Sequence, residues 1–204
     1  MMKLNEFEKR LVAHPIRRWF QSKVELPILV SLFKGSPSPT PMVLEIGCGF
    51  GHGIPLILEH FKPMQLTAVD IDGDMVEACR QQWQHHPNVM ISQADAEQLG
   101  FQDNQFDLAC NFAVFHHIPQ WQKALAQVYR VLRPGGYFLM EDLYRAAICN
   151  PLSKRLFDHP QTNRFDHQSL LDELQSCGFE IVNQAHILNL SGMILAQKPR
   201  HYLS

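Results

Sequence analysis

The chemistry-bearing feature of this chain is a lone carboxylate inside an apolar run, followed at once by glycines at alternate positions. The run is Val43-Leu44-Glu45-Ile46, and the glycines are Gly47, Gly49, Gly51 and Gly53. A strand that turns through glycines into a helix brings backbone close to a ligand and aims unpaired helix N–H groups at it. Alternate glycines alone are a weak signal. They become a strong one here because a second acid, Asp70, closes the next apolar run, Leu66-Thr67-Ala68-Val69. The main rival for such a loop is a dinucleotide site with G-x-G-x-x-G. Counted from Gly47, that pattern needs glycine at 52, where His52 stands. An acid inside the first strand is also foreign to a pyrophosphate site.

From Met42 onward, apolar runs of strand length alternate with helical periodicities. The spacing predicts strands at 42–46, 65–70, 88–92, 106–112 and 136–141, and helices at 53–61, 73–85 and 120–132. Asn104-Gln105 and Arg133-Pro134-Gly135-Gly136 are turn signals just where strands should begin. Such alternation implies right-handed crossovers and a parallel sheet with helices on both faces, whose ligands bind at the carboxyl ends of the strands. The tail differs. A helix at about 166–177, with Asp166 as N-cap, ends at Gly178. Phe179–His186 and Ser191–Gln197 then read as a hairpin, which turns the last strand antiparallel. The expected fold is α/β and doubly wound, with seven strands, mostly parallel, and a helical cap at the N-terminus.

That cap is residues 1–41; the main domain is 42–204. Leu4, Phe7, Leu11 and Val12 recur at helical spacing, as do Ile16, Trp19, Phe20 and Val24, with Pro15 and Pro27 as breaks. Gly35-Ser36-Pro37-Ser38-Pro39-Thr40-Pro41 is a linker by composition. Net charge is −2 overall, so no global field points to nucleic acid, but residues 1–34 hold seven Lys/Arg against three Glu. The five cysteines are scattered without a C-x-x-C, which argues against a disulfide framework or structural zinc and suits a reducing cytoplasm. The longest apolar patch, Leu26 to Phe33, is far too short to span a bilayer.

Taken in order, these motifs resemble the class I S-adenosylmethionine-dependent methyltransferases from about Met42 to Gln197. The resemblance implies that Gly47, Cys48, Gly49 and Gly51 wrap the methionine part of the cofactor, with Glu45 binding its amino group directly or through water. It implies that Asp70 accepts the two ribose hydroxyls and that Ile71 packs on the adenine. Asp95 and Ala96, after strand three, would lie near the adenine amino group. Phe106-Asp107-Leu108-Ala109-Cys110-Asn111 matches strand four, with Asn111 at its cofactor-facing end, and Leu132-Arg133-Pro134-Gly135-Gly136 matches the turn into strand five.

The same resemblance places His116-His117 near the point where acceptor and methyl group meet. His117 is the candidate general base, and packing or a backbone hydrogen bond is its competing role. Asp142 could face substrate, while Glu141 could cap or pair with Arg145. His159, Asn163, Arg164 and His167 fall in an insert where the family often builds substrate contacts; a solvated loop is the plain alternative. His52 is a loop histidine within reach of a substrate, and metal binding by His85-His86 is not expected. The implied activity is methyl transfer to a small or lipid-like acceptor. Its alternative is a protein that binds S-adenosylmethionine or S-adenosylhomocysteine without catalysis. Asn111-Phe112-Ala113-Val114 replaces the N/D-P-P-Y/F run of nucleic-acid methylating relatives, so no nucleic acid partner is expected. The basic N-terminal segment suits a lid over the acceptor pocket or loose contact with a membrane surface.

Overall fold

The computed structural model describes residues 14–33, 40–149, 153, 155, 160 and 162–200. Leu4, Phe7, Leu11, Val12, most of the linker and His159 lie outside the described residues. Seven strands form one sheet in the order β3-β2-β1-β4-β5-β7-β6. They are β1 (Met42–Ile46), β2 (Gln65–Asp70), β3 (Val89–Gln93), β4 (Phe106–Phe112), β5 (Leu132–Leu143), β6 (Glu180–Ile187) and β7 (Ser191–Gln197). The first five pair in parallel, and β7 runs antiparallel to both β5 and β6, as the hairpin pattern requires. Strand order reverses between β1 and β4, so the crevice at their carboxyl ends is the switch point.

Both faces of the sheet are covered, which is why the central strands read as nearly unbroken apolar runs. One face carries α3 (Ile54–Phe61), α4 (Gly73–Trp83) and α2 (Leu26–Ser31), through Ile54, Ile57, Phe61, Cys79, Leu29 and Leu32. The other carries α5 (Trp121–Val131) and α7 (His167–Ser176), through Trp121, Leu125, Val128, Leu170 and Leu174. A short α1 (Pro15–Phe20) precedes α2, and a four-residue α6 (Arg145–Ile148) follows β5.

Proline explains the N-terminal breaks. Pro15 opens α1, and a π-helical turn at Gln21–Glu25 precedes Pro27 at the start of α2. The wide turn absorbs the hydrogen bond that Pro27 cannot donate and the clash of its ring with the preceding turn. Beyond it, the chain is part of the core. Leu29 and Leu32 are buried, Phe33 meets Phe61 and Tyr137 edge-on at 5.7 and 5.5 Å, and Asn183 donates to the Leu32 carbonyl at 3.1 Å.

Strand five begins earlier than its turn signal suggests. Leu132 already pairs with Phe106, and Arg133–Gly136 is a bulge before Tyr137 pairs with Leu108, with Gly135 at φ +84°. Lys198 reaches under this bulge and donates to the Tyr129 and Leu132 carbonyls at 2.9 and 2.8 Å, capping α5. At the start of α7, Asp166 accepts from the Ser169 N–H, and Ser169 Oγ accepts from the Asp166 N–H, each at 2.9 Å. The Ser169 N–H, with the Ser169 hydroxyl that also donates to the carboxylate at 2.9 Å, holds the Asp166 carboxyl below its usual range. A depressed carboxylate stabilises the fold above its unfolded pKa and loses that contribution as pH falls through the folded one. Asp166→Ala should therefore cost about 1 kcal/mol near neutrality. Urea unfolding of both proteins should show the gap closing in strong acid.

Candidate functional site

The loop leaving β1 is built on left-handed backbone. Gly47, Gly49 and Gly51 have φ of +72°, +52° and +79°. A Cβ at Gly47 would collide with the Val114 side chain, and one at Gly51 would sit 2.7 Å from Cys79 Sγ. Gly49 is different: the nearest atom to a Cβ there is Met75 Sδ at 3.9 Å. Gly47 and Gly51 are thus required by packing from within. Gly49 faces open space, where the loop can meet a ligand.

Two acids bracket this loop, and their surroundings differ. Asp70 is buried, and each of its oxygens accepts a backbone N–H, Oδ2 from Gly49 and Oδ1 from Asp72, both at 2.9 Å. Burial raises its pKa, against the lowering effect of those bonds. Each oxygen keeps a second lone pair for a hydroxyl. Glu45 is also buried, but its Oε2 has no hydrogen-bond partner. Its Oε1 fills the space that a Cβ at Gly53 would need. Burial pushes the Glu45 carboxyl well up, and the nearby Cys79 and Asp70 add to the shift.

Across the switch point, β4 exits through Ala113, at φ +57°, whose N–H donates to the Glu141 carbonyl at 2.8 Å. The carboxylate of Asp142, at the end of β5, collects this exit. Oδ2 accepts from Phe115 N–H at 2.7 Å, Val114 N–H at 3.2 Å and Asn111 Nδ2 at 2.9 Å. Oδ1 accepts from the N–H groups of Leu143 and His116 at 2.8 and 3.2 Å and pairs with His116 Nδ1 at 2.6 Å. Arg164 closes the far side, donating to the carbonyls of His116, Ile118 and Pro119 at 2.5, 2.8 and 3.4 Å. Asn163 donates to the Pro119 carbonyl, and its own carbonyl accepts from Trp121 Nε1.

A family profile described as "Methyltransferase domain" matches residues 44–140. Among curated proteins, a fatty-acid O-methyltransferase of Mycolicibacterium smegmatis is 39% identical over 100 residues, 49% of this chain and 36% of that one. A phthiotriol/phenolphthiotriol dimycocerosates methyltransferase of Mycobacterium tuberculosis is 37% identical over 101 residues, 50% of this chain and 37% of that one. The match thus spans little more than a third of either relative. In overall shape, a crystal structure of an S-adenosylmethionine-dependent methyltransferase from Aquifex aeolicus superimposes with a TM-score of 0.75, at 17% identity, over 96% of this chain and 100% of that one. Residues 44–140 are thus similar to the methyltransferase-domain family, and the fold is that of the solved S-adenosylmethionine-dependent methyltransferase.

The residues present fit that family's cofactor. Glu45 offers a buried, unpartnered carboxylate oxygen for an ammonium, Gly49 an uncluttered stretch of backbone, and Asp70 two further lone pairs for vicinal hydroxyls. Cys48 lies buried in the loop, its N–H bonded to the Val69 carbonyl at 3.0 Å. Ile71 is half-buried beside Asp70, and Gln93 donates to its carbonyl at 2.9 Å. Ala96 is buried, and Asp95 turns an oxygen to the Glu97 N–H at 2.9 Å. Asn111 points its amide nitrogen at β5, donating to Glu141 O and Asp142 Oδ2, and leaves Oδ1 buried without a partner.

The histidine pair divides. His116 is gripped by Asp142, while the His117 ring lies 4.1 Å from that of His116 and its backbone N–H donates to the Val114 carbonyl. Asp142 holds the loop where the sequence left open a substrate contact. Arg164 and Asn163 brace that same loop. His167 instead meets Tyr144 Oη at 2.6 Å and stacks on His186 at 4.5 Å. His52 is half-buried beside Phe50, with ring centroids 6.4 Å apart, and His86 lies against Trp83. Among the described residues, no group of three or more His, Cys, Asp or Glu could hold a metal ion. Likewise, no helix among them is long and apolar enough to cross a membrane.

Two features carry no sequence signal: Gly53 yielding to Glu45, and Val114 seated on Gly47. Asp142 stands out in the sequence as an acid ending a core strand, but its role as a hub for backbone N–H groups does not.

Because the Glu45 pKa is raised on folding, this carboxyl favours the folded state in acid and costs stability as pH climbs through its folded pKa. Glu45→Gln should therefore raise the melting temperature of the ligand-free protein near pH 8, with little change near pH 4. It should also weaken S-adenosylmethionine binding. Calorimetry in buffers of different ionisation enthalpy should find a proton released on cofactor binding by the wild type and none by the variant.

Proposed function

We propose that the protein transfers a methyl group from S-adenosylmethionine to a small, lipid-like acceptor. The observation that carries this reading is the loop of Gly47–Gly53, held at the switch point between the clamped Asp70 and the unpartnered Glu45. The names of the relatives, which act on fatty acids and on phthiotriol dimycocerosates, support the acceptor class.

When bound, the cofactor supplies a methyl group on a sulfonium that is reactive without further activation. The residues of this chain then have to position the two reactants. Glu45 orients the amino acid end and Asp70 the ribose. The β4 exit, fixed by Asp142, forms the wall against which the acceptor lies. Alignment of this kind is worth up to about 7–11 kcal/mol of barrier. His117 is the candidate base, needed only where the acceptor must lose a proton as it attacks. In this reading, residues 42–204 form the catalytic domain and residues 1–41 its helical cap. Since α2 is part of the sheet's covering, any lid action falls to the chain ahead of it.

Turnover of methyl-labelled cofactor against a panel of fatty acids, hydroxylated lipids and soluble metabolites tests the reading. Label in a lipid-soluble product is expected. Tight binding of S-adenosylhomocysteine with no turnover on any acceptor would instead make this a non-catalytic binding protein. Asp70→Ala should weaken S-adenosylhomocysteine by ten- to a hundredfold, or roughly 1.5–3 kcal/mol. Gly49→Val should abolish binding with the domain still folded, because its side chain enters the open face of the loop in a disfavoured backbone region. Normal binding by the Gly49 variant would remove residues 47–51 from the cofactor site.

A further inference from the structure

Three of the seven large apolar side chains exposed among the described residues fall within one turn, at the tip of the β6–β7 hairpin. Ile187 is 52% exposed, Leu188 85% and Leu190 42%. The turn has two residues, Leu188 and Asn189 at φ +46° and +53°, and is closed by Leu190 N–H on the Ile187 carbonyl at 2.8 Å. Such turns favour Asn-Gly. A leucine in left-handed backbone is strained, and at this exposure it gains nothing from burial.

The tip is also pinned in place. Tyr144 N–H donates to the Leu190 carbonyl at 2.8 Å, and His167 N–H reaches Asn189 Oδ1 at 3.4 Å. The Tyr144 phenol lies where Gly192 would carry a Cβ. Since Tyr144 directly follows β5, the tip stands at the carboxyl edge of the sheet, the same edge as Gly49, Asp70 and His117. Arg145, which follows Tyr144, and His186, which precedes Ile187, are both exposed on that edge.

We propose that this tip is a lipid-docking element: Ile187, Leu188 and Leu190 insert into a membrane surface and turn the carboxyl edge toward it. The proposal rests on the lipid-like acceptor of the preceding section, because docking there would carry the acceptor site to where such a molecule resides. Size selects the occupant. Three side chains fall far short of the roughly 800 Å² per partner of a stable protein interface. Aliphatic insertion into the headgroup–acyl boundary needs no such area and no shape complementarity, and a neighbouring arginine adds attraction to anionic lipid.

Sedimentation with phosphatidylcholine vesicles, with and without phosphatidylglycerol, tests it, using the full chain and the double variant Leu188→Asn, Leu190→Ser. Asparagine tolerates the left-handed turn, so the variant should fold. Wild type should partition onto both vesicles, more strongly onto the anionic ones. The variant should lose about tenfold or more, with S-adenosylhomocysteine affinity and melting temperature unchanged. Four results would overturn the proposal: no wild-type partition; equal partition by the variant; a wild-type dimer that the variant dissolves, marking a self-interface; or a markedly lower melting temperature, marking a tip covered by its own chain. Labelled turnover on dispersed lipid separates the two readings. Partition without turnover leaves docking and removes the lipid acceptor, and turnover without partition does the reverse.

Discussion

The carboxylate of Asp142 is the point on which the β4 side of the switch point depends. It is almost completely buried and draws in three successive backbone N–H groups from Val114 to His116, the Asn111 amide and the His116 ring. Charge-assisted bonds of this kind are about twice as strong as neutral ones, and removing the acceptor would orphan several buried donors at once. The effect reaches beyond β5. With the β4 exit held, the Val114 side chain is seated against Gly47, so the two walls of the switch point set each other's position. The left-handed Ala113 is the local strain that this arrangement holds in place.

Against that satisfied carboxylate stands Glu45. Both acids end up in the low-dielectric interior, but one is surrounded by donors and the other leaves an oxygen bare. Burial without donors favours the protonated form, and a cation arriving beside it favours the ionised one. Asp70 lies between the extremes, buried yet bonded to Gly49 and Asp72, and so serves both the loop and whatever the loop holds. The three carboxylates thus differ by their hydrogen bonds: Asp142 is surrounded by donors, Asp70 holds one backbone N–H on each oxygen, and Glu45 keeps an oxygen bare.

The parts legible in the sequence were those with side-chain signatures. Apolar runs gave all seven strands within a few residues, and the acids at 45 and 70 with their glycines marked the loop, because strand period and glycine need are local properties. Asp166 as N-cap was legible for the same reason. What stayed hidden depends on backbone donors or on contacts between distant segments. Asp142 meets N–H groups that any sequence would supply, Gly53 yields to a side chain eight positions earlier, and Lys198 caps a helix that ended at Val131. Arg133–Gly136 read as a turn and formed a bulge, since pairing of Leu132 with Phe106 starts the strand before the glycines are reached.

The division of labour along the sheet also explains what similarity can reach. The family match ends at residue 140, two residues before Asp142. Inside it lie the glycine loop, the acids Glu45 and Asp70, and the β4 exit. The elements beyond it, Tyr144, the brace at Asn163 and Arg164, and the β6–β7 hairpin, stand on the same carboxyl edge. Asp142 lies at the seam between the two. Its hydrogen bonds fix the β4 exit from the β5 side, so the matched segment depends for its geometry on a carboxylate that lies just outside it.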